Sequence, residues 1–136
     1  MSKKPIKHIT ILIYAHPELY PPTLSAIEEL SQIADTIDVV TRNMLDPKWE
    51  YPKNVRVHYI NKKKYVGFGI EKVSFGLKII HFLKFVMMSH RLIKKNKSKI
   101  VLAYDAIPLY VANLLKATLK KQDSLLWYHN HDVTDL

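Results

Sequence analysis

Two continuous apolar runs constrain this chain more than any other feature. Ile9 to Ala15 (ITILIYA) and Lys99 to Tyr104 (KIVLAY) run almost without polar interruption. A strand with one wet face would alternate. Uninterrupted runs are expected where both faces are covered, as in a parallel sheet. Around them the pattern switches between strand and helix. Thr23 to Ile33 predicts a helix, with Leu24, Ile27, Leu30 and Ile33 at helical spacing and Thr23 as its cap behind Pro21 and Pro22. Ile37 to Thr41 predicts a second strand, and Val55 to Ile60 alternates like a strand near a sheet edge. Asn43 to Asn54 and the basic stretch Asn61 to Gly69 read as connections. Ser74 to Asn96 is the longest predicted helix. Pro108 to Lys121 is another, with Pro108 in a tolerated first-turn position, and Leu125 to His129 is a last strand.

This alternation predicts an α/β fold: a Rossmann-like open parallel sheet with helices on both faces. Right-handed crossovers gather the C-terminal ends of such strands on one edge, where ligands of open α/β sheets bind. The segments to examine are therefore His16 to Pro22, Thr41 to Asn43, Tyr104 to Pro108 and His129 to Asp132. The 136 residues fit one domain with its own core.

The chain has no cysteine, which excludes disulfides, thiolate metal sites and a cysteine nucleophile. The short apolar run behind Lys3, Lys4 and Lys7 is followed at once by His16-Pro17-Glu18, so it reads as a first strand and not as a signal peptide. The formal charge is +9, from 21 Lys and Arg against 12 Asp and Glu. The excess gathers at Lys3, Lys4, Lys7, Lys62 to Lys64, Lys94, Lys95, Lys97, Lys99, Lys120 and Lys121. Such a field favours phosphorylated ligands, acidic lipid surfaces or nucleic acid, and it also serves plain solubility.

The first strand-to-helix turn, His16 to Pro22, contains no glycine. Phosphate loops need glycine for close backbone approach, so a P-loop or a dinucleotide fingerprint is excluded. The turn either presents His16, Glu18 and Tyr20 to a polar ligand or is a proline-stiffened surface loop. Asp105, at the end of KIVLAY, either meets a ligand hydroxyl or caps the next helix, and capping is the commoner use. In Trp127 to Asp132 an extended backbone sends His129 and His131 to one side. A metal pair completed by Asp132 lacks further ligands. The pair can also orient a hydroxyl-bearing substrate, or form a structural turn.

In the Ser74 to Asn96 helix, Phe75, Ile79, Phe82, Leu83, Val86 and Ile93 are expected to face the sheet. Leu77, Phe85, Met88 and Leu92 fall among Lys78, His81, Lys84 and Arg91 on the other side. Charges interrupt any run long enough to span a bilayer. The surplus apolar surface suits an acidic membrane surface, a second domain or protomer, or simple core packing.

Three segments resemble the N-terminal, acceptor-side domain of retaining GT-B glycosyltransferases of the large group 1 / family 4 type. They are ITILIYAHPELYPPTLSAIEELSQIADTIDVVTRN, VLAYDAIPLYVANLLKATLKK and SLLWYHNHD, in the family's order. The resemblance implies one half of a GT-B fold. His131 matches the histidine that faces the reacting sugar from the acceptor side. Asp132 matches the acidic residue beside it, and Asp105 the acidic residue after the preceding strand. With these go His16, Glu18, Tyr20 and His129 as substrate-binding candidates. The glycine pair that many members carry near the donor phosphates has no counterpart between His16 and Pro22.

The resemblance further implies sugar transfer from a nucleotide-sugar donor to a glycan or lipid-linked acceptor in polysaccharide assembly, without a metal or other cofactor. The C-terminal donor-binding domain would lie outside this chain, which alone would be inactive. A cytoplasmic protein, peripheral at the inner face of the membrane through the Ser74 to Asn96 helix, is the matching location. A fragment with an exposed interdomain face also invites oligomers. The competing reading is a stand-alone α/β interaction module that docks to an acidic membrane surface or a protein partner. Nucleic-acid binding ranks last, because no recognised motif accompanies the basic patches.

Overall fold

The computed structural model describes residues 4–15, 17–19, 21–42, 49–61 and 75–129. In chain order they form β1 (Ile6–Ile13), a 3-10 turn (Pro17–Leu19), α1 (Pro21–Ser31), β2 (Ala34–Thr41), β3 (Val55–Tyr59), α2 (Phe75–Asn96), β4 (Ile100–Tyr104), α3 (Ala106–Leu114), α4 (Lys116–Lys121) and β5 (Leu125–His129). The strands make one sheet, ordered β3-β2-β1-β4-β5, and every pairing is parallel. This is the predicted Rossmann-like architecture.

The pleat sends alternate residues to opposite faces. Ile9, Ile11, Ile13, Ile37, Val39 and Leu102 pack with Ile27 of α1 on one face. Leu12, Val40 and Val101 pack with Phe85 and Ile93 of α2, Val111 of α3 and Leu119 of α4 on the other. Both faces of β1 are thus covered, which is why its sequence is continuously apolar.

Local boundaries differ from the sequence reading for physical reasons. Helix α1 starts at Pro21, so Thr23 lies inside the helix, buried, and does not cap it. Proline at the first position lacks only an N–H that has no helical partner anyway. Strand β2 starts at Ala34 and not at Ile37, because its polar residues do not break the ladder. Helix α3 begins at Ala106, before Pro108, and the predicted single helix divides at Leu115.

The largest correction concerns α2. Its buried residues are His81, Phe85, Ser89, Leu92 and Ile93. Phe75, Ile79 and Leu83, expected to face the sheet, are exposed, Phe75 by 77%. Ile93 is buried and Phe82 and Val86 pack partly buried against the core, as expected, but two polar residues, His81 and Ser89, share the buried stripe, which is rotated toward Phe85 and Leu92.

Helices α2 and α4 end alike. Ser98 N–H reaches back to the Ile93 carbonyl (3.2 Å), and Ser124 N–H to that of Leu119 (2.9 Å). The residue before each serine, Lys97 (φ 49°) or Asp123 (φ 57°), is left-handed. That is the Schellman closure, whose usual occupant is glycine.

Under the C-terminal end of α2 lies a buried polar cluster. Asp38 of β2 is fully buried, and its carboxylate accepts from His8 Nε2 (2.6 Å), His58 Nε2 (2.7 Å), Arg56 Nη2 (3.0 Å) and Asn96 Nδ2 (3.1 Å). Burial pushes the Asp38 carboxyl up, but the hydrogen bonds from His58 and His8 and the charge of Arg56 outweigh it and hold the group well below the usual range. Ser98 Oγ hydrogen-bonds both His8 Nδ1 (2.6 Å) and Thr10 Oγ1 (2.5 Å). The cluster joins β1, β2, β3 and the end of α2.

Candidate functional site

The connections that leave β1, β2 and β4 gather at the C-terminal edge of the sheet. Tyr14 follows β1 and Arg42 follows β2. The Arg42 guanidinium lies 4.0 Å over the Tyr14 ring, and its Nε donates to the Tyr14 carbonyl. Thr41 Oγ1 donates to the Ala15 carbonyl (2.6 Å). These bonds shape the first turn without glycine. Beneath it, the Phe85 ring meets Tyr14 edge-on at 5.1 Å.

From the far side α2 supplies Lys78 and Phe82, and the first turns of α3 supply Ala106, Ile107 and Tyr110. With Tyr14 and Arg42 they line a pocket of about 640 Å³. Phe82 and Tyr110 stand 6.2 Å apart, ring to ring. This volume is in the range of small-ligand sites. Two cations and three aromatic rings face it, and no carboxylate does among the described residues. Such a lining attracts an anion and holds a flat or apolar group beside it. His81, buried behind it, has its pKa lowered by burial first, then by Lys84 and Arg42. Larger grooves run over α2 (about 790 Å³) and at the opposite pole (about 1000 Å³). The 640 Å³ pocket lies at the C-terminal ends of β1, β2 and β4, where open α/β sheets place their ligands.

Asp105 stands directly before Ala106, in a backbone conformation of φ 68° and ψ 179°. That region belongs almost entirely to glycine, and a residue held there stores strain. Neighbours hold it: its N–H donates to the His129 carbonyl (2.8 Å) and its carbonyl accepts from Leu109 (3.2 Å). Asp105 occupies the cap position of α3, but its side chain makes no capping bond, so the commoner use is not the one realised.

His129 ends the exposed edge strand β5, its ring 5.1 Å from that of Tyr104. Burial pushes the Tyr104 phenol up to about 12. Glu18 lies in the 3-10 turn, where its carboxylate accepts from the Trp49 N–H (2.9 Å). Burial first, then Glu18, raises the Tyr59 pKa. His16, Tyr20, His131 and Asp132 lie outside the described residues. The structure thus brings Asp105 and His129 together by a backbone bond and ties Glu18 to the loop before β3. Among the described residues no group of three His, Asp or Glu side chains is placed to hold a metal ion.

Sequence reasoning did not single out Tyr14, Arg42, Lys78, Phe82 or Tyr110. Arg42 lay within a segment named for its edge position, and that signal could have found it. Phe82 was expected to face the sheet and Lys78 the other side, and only the packing of α2 against α3 brings both to the pocket.

The fold and this edge pocket define a Rossmann-like α/β domain. No protein-family model matches the chain, and no curated protein matches it. Among solved structures it is similar to Phytolacca americana UGT2 complexed with UDP-2fluoro-glucose and pterostilbene. The TM-score is 0.59 at 8% identity, over 96% of this chain and 31% of that one. That protein is a GT-B glycosyltransferase. The likeness is one of fold alone, and the chain spans about a third of the neighbour's length.

Proposed function

We propose that this chain is the acceptor-side domain of a nucleotide-sugar-dependent glycosyltransferase of the group 1 / family 4 type, inactive without a separate donor-binding domain. The observation that carries the reading is the cationic, aromatic-lined pocket at the strand C-terminal ends of a fold shared with a GT-B enzyme. In this reading a glycan or lipid-linked acceptor enters beside Tyr14, Phe82 and Tyr110, and Arg42 and Lys78 hold its anionic part. Asp105, held in its strained conformation by β5, orients an acceptor hydroxyl. His131 and Asp132 stand on the chain just past His129 and face the sugar being transferred, with His16, Glu18, Tyr20 and His129 as further substrate contacts. Preorganised donors around the leaving diphosphate supply much of the rate enhancement in such chemistry, and in this proposal the other domain provides most of them.

The test is sugar transfer by the full-length gene product from a panel of nucleotide-sugars, with wild type and His131→Ala compared. Transfer that collapses in a folded mutant is the expected result. Transfer that the mutation leaves intact removes His131 from the site, and no transfer or donor hydrolysis with any donor defeats the enzyme reading.

One observation favours a second reading, an interaction module at an acidic membrane surface. The outward side of α2 exposes Ile79, Ile80, Leu83 and Met87, the last by 70%, and the helix contains no acidic residue. Among the described residues no helix is long and apolar enough to cross a membrane, so contact would be peripheral, at the cytoplasmic face. Under this reading the chain co-floats with phosphatidylglycerol vesicles, and Leu83→Ser with Met87→Ser abolishes flotation. Equal flotation of wild type and variant counts against it.

A further inference from the structure

The opposite pole of the sheet carries a second concave surface, independent of the edge pocket. Lys7 at the start of β1, Lys94 and Lys95 in the last turn of α2, Lys97 and Lys99 in the turn after it, and Lys121 at the end of α4 converge on one groove of about 1000 Å³. No carboxylate lines it among the described residues. Lys7 and Tyr14 lie seven positions apart on one extended strand, so groove and edge pocket are roughly 20 Å apart.

Helix dipoles account for part of this cluster. Lys94, Lys95 and Lys121 stand where cations stabilise a helix C-terminus. They do not account for Lys7, Lys97 and Lys99. Lys97 is the most telling, because it occupies the left-handed position of the Schellman closure (φ 49°), where glycine is conformationally cheapest. Asp123 holds the same position in α4, but a short aspartate side chain can bond locally in that conformation, and a lysine has no such compensation.

The polar neighbours in the groove are already engaged. Asn96 donates to Asp38 and to the Leu92 carbonyl, Thr118 bonds His90 at 3.1 Å, and Gln122 donates to the Ile93 carbonyl. They fix the walls and leave recognition to the ammonium groups. Ammonium groups on flexible stems act as point charges and read anionic charge more than stereochemistry.

We propose that this groove is a binding site for a compact oligoanion carrying two or more phosphate groups. Its ligand is in solution, not a lipid layer, because the lysines surround a concavity. Binding weakens as salt rises, in proportion to the number of phosphates neutralised.

The experiment is a titration of inorganic tripolyphosphate into the ¹⁵N-labelled protein, with phosphatidylglycerol vesicles as a parallel arm. Amide shifts centred on Lys7, Lys97, Ser98 and Lys99 are expected. Lys97→Gly combined with Lys7→Ser and Lys99→Ser should weaken binding at least tenfold, with the fold checked by circular dichroism. Asp123→Gly places glycine at the matching left-handed position of α4 and should leave affinity within twofold, as should Lys53→Ser with Lys116→Ser and Lys120→Ser. If the second lysine set weakens binding equally, the effect is net charge and the site does not exist. Shifts spread over all lysines in the wild type overturn the proposal without any variant. Binding to the vesicles alone, with no response to tripolyphosphate, also overturns it.

Discussion

The two ends of the sheet treat polar groups in opposite ways. Toward the start of β1 and under the end of α2, Asp38, His8, Arg56, His58, Asn96 and Ser98 form a closed set in which the buried carboxylate has four donor residues. At the strand ends, Asp105 is strained and uncapped, and cations and rings border an open pocket. A satisfied buried network rigidifies a fold, whereas strain and exposed charge persist where something outside the chain makes use of them. Stability is thereby seated in the buried set, and the proposed ligand recognition lies at the strand C-terminal ends.

The largest effect should come from the closed end. Asp38→Ala leaves two imidazoles and a guanidinium without their acceptor and is expected to cost about 3–5 kcal/mol, read from urea denaturation. The same group sets the acid response. Its folded pKa lies below the ordinary aspartate value of 3.8, so its contribution is fully present above that value and is lost as pH falls toward the folded pKa. Wild-type stability should therefore drop below about pH 4, and that drop should shrink in Asp38→Asn. An unchanged acid limb would remove Asp38 from the account.

The next contrast tests the rotation of α2. Phe85→Ala should cost about 3–5 kcal/mol, and Phe75→Ala less than about 0.5 kcal/mol, because only the first is buried. Comparable losses would show that the outward face is covered in solution. At the open end, Asp105→Gly should raise stability by about 1 kcal/mol through strain relief and lower transfer activity; a lower Tm would contradict the strain. An effect of the opposite sign belongs to Ser89, a buried hydroxyl with no hydrogen-bond partner among the described residues. Ser89→Ala should be neutral or stabilising by up to about 1 kcal/mol, and a clear loss in Tm would reveal a partner for it.

The sheet was legible because its central strands are buried on both faces, and ITILIYA and KIVLAY admit no other use. The pattern of α2 was right for Phe82, Val86 and Ile93 and wrong for Phe75, Ile79 and Leu83, because His81 and Ser89 occupy buried positions that periodicity assigns to water. The Asp38 cluster was invisible for a related reason: its members lie up to 90 positions apart, as His8 and Ser98 do, and each reads locally as an ordinary surface residue. Asp105 was found by its place after a strand, but its unusual backbone comes from β5, which closes on it through the His129 carbonyl. The edge pocket needs Tyr14, Arg42, Lys78 and Tyr110 from four elements, and no local motif links them.

The most direct test of the account is the acceptor KM of the full-length gene product carrying Lys78→Ala and Tyr110→Ala, both of which are exposed in the fold described. A KM raised at least tenfold is expected, with the Tm unchanged and donor hydrolysis retained. An unchanged acceptor KM would place acceptor binding elsewhere and contradict the assignment of the edge pocket.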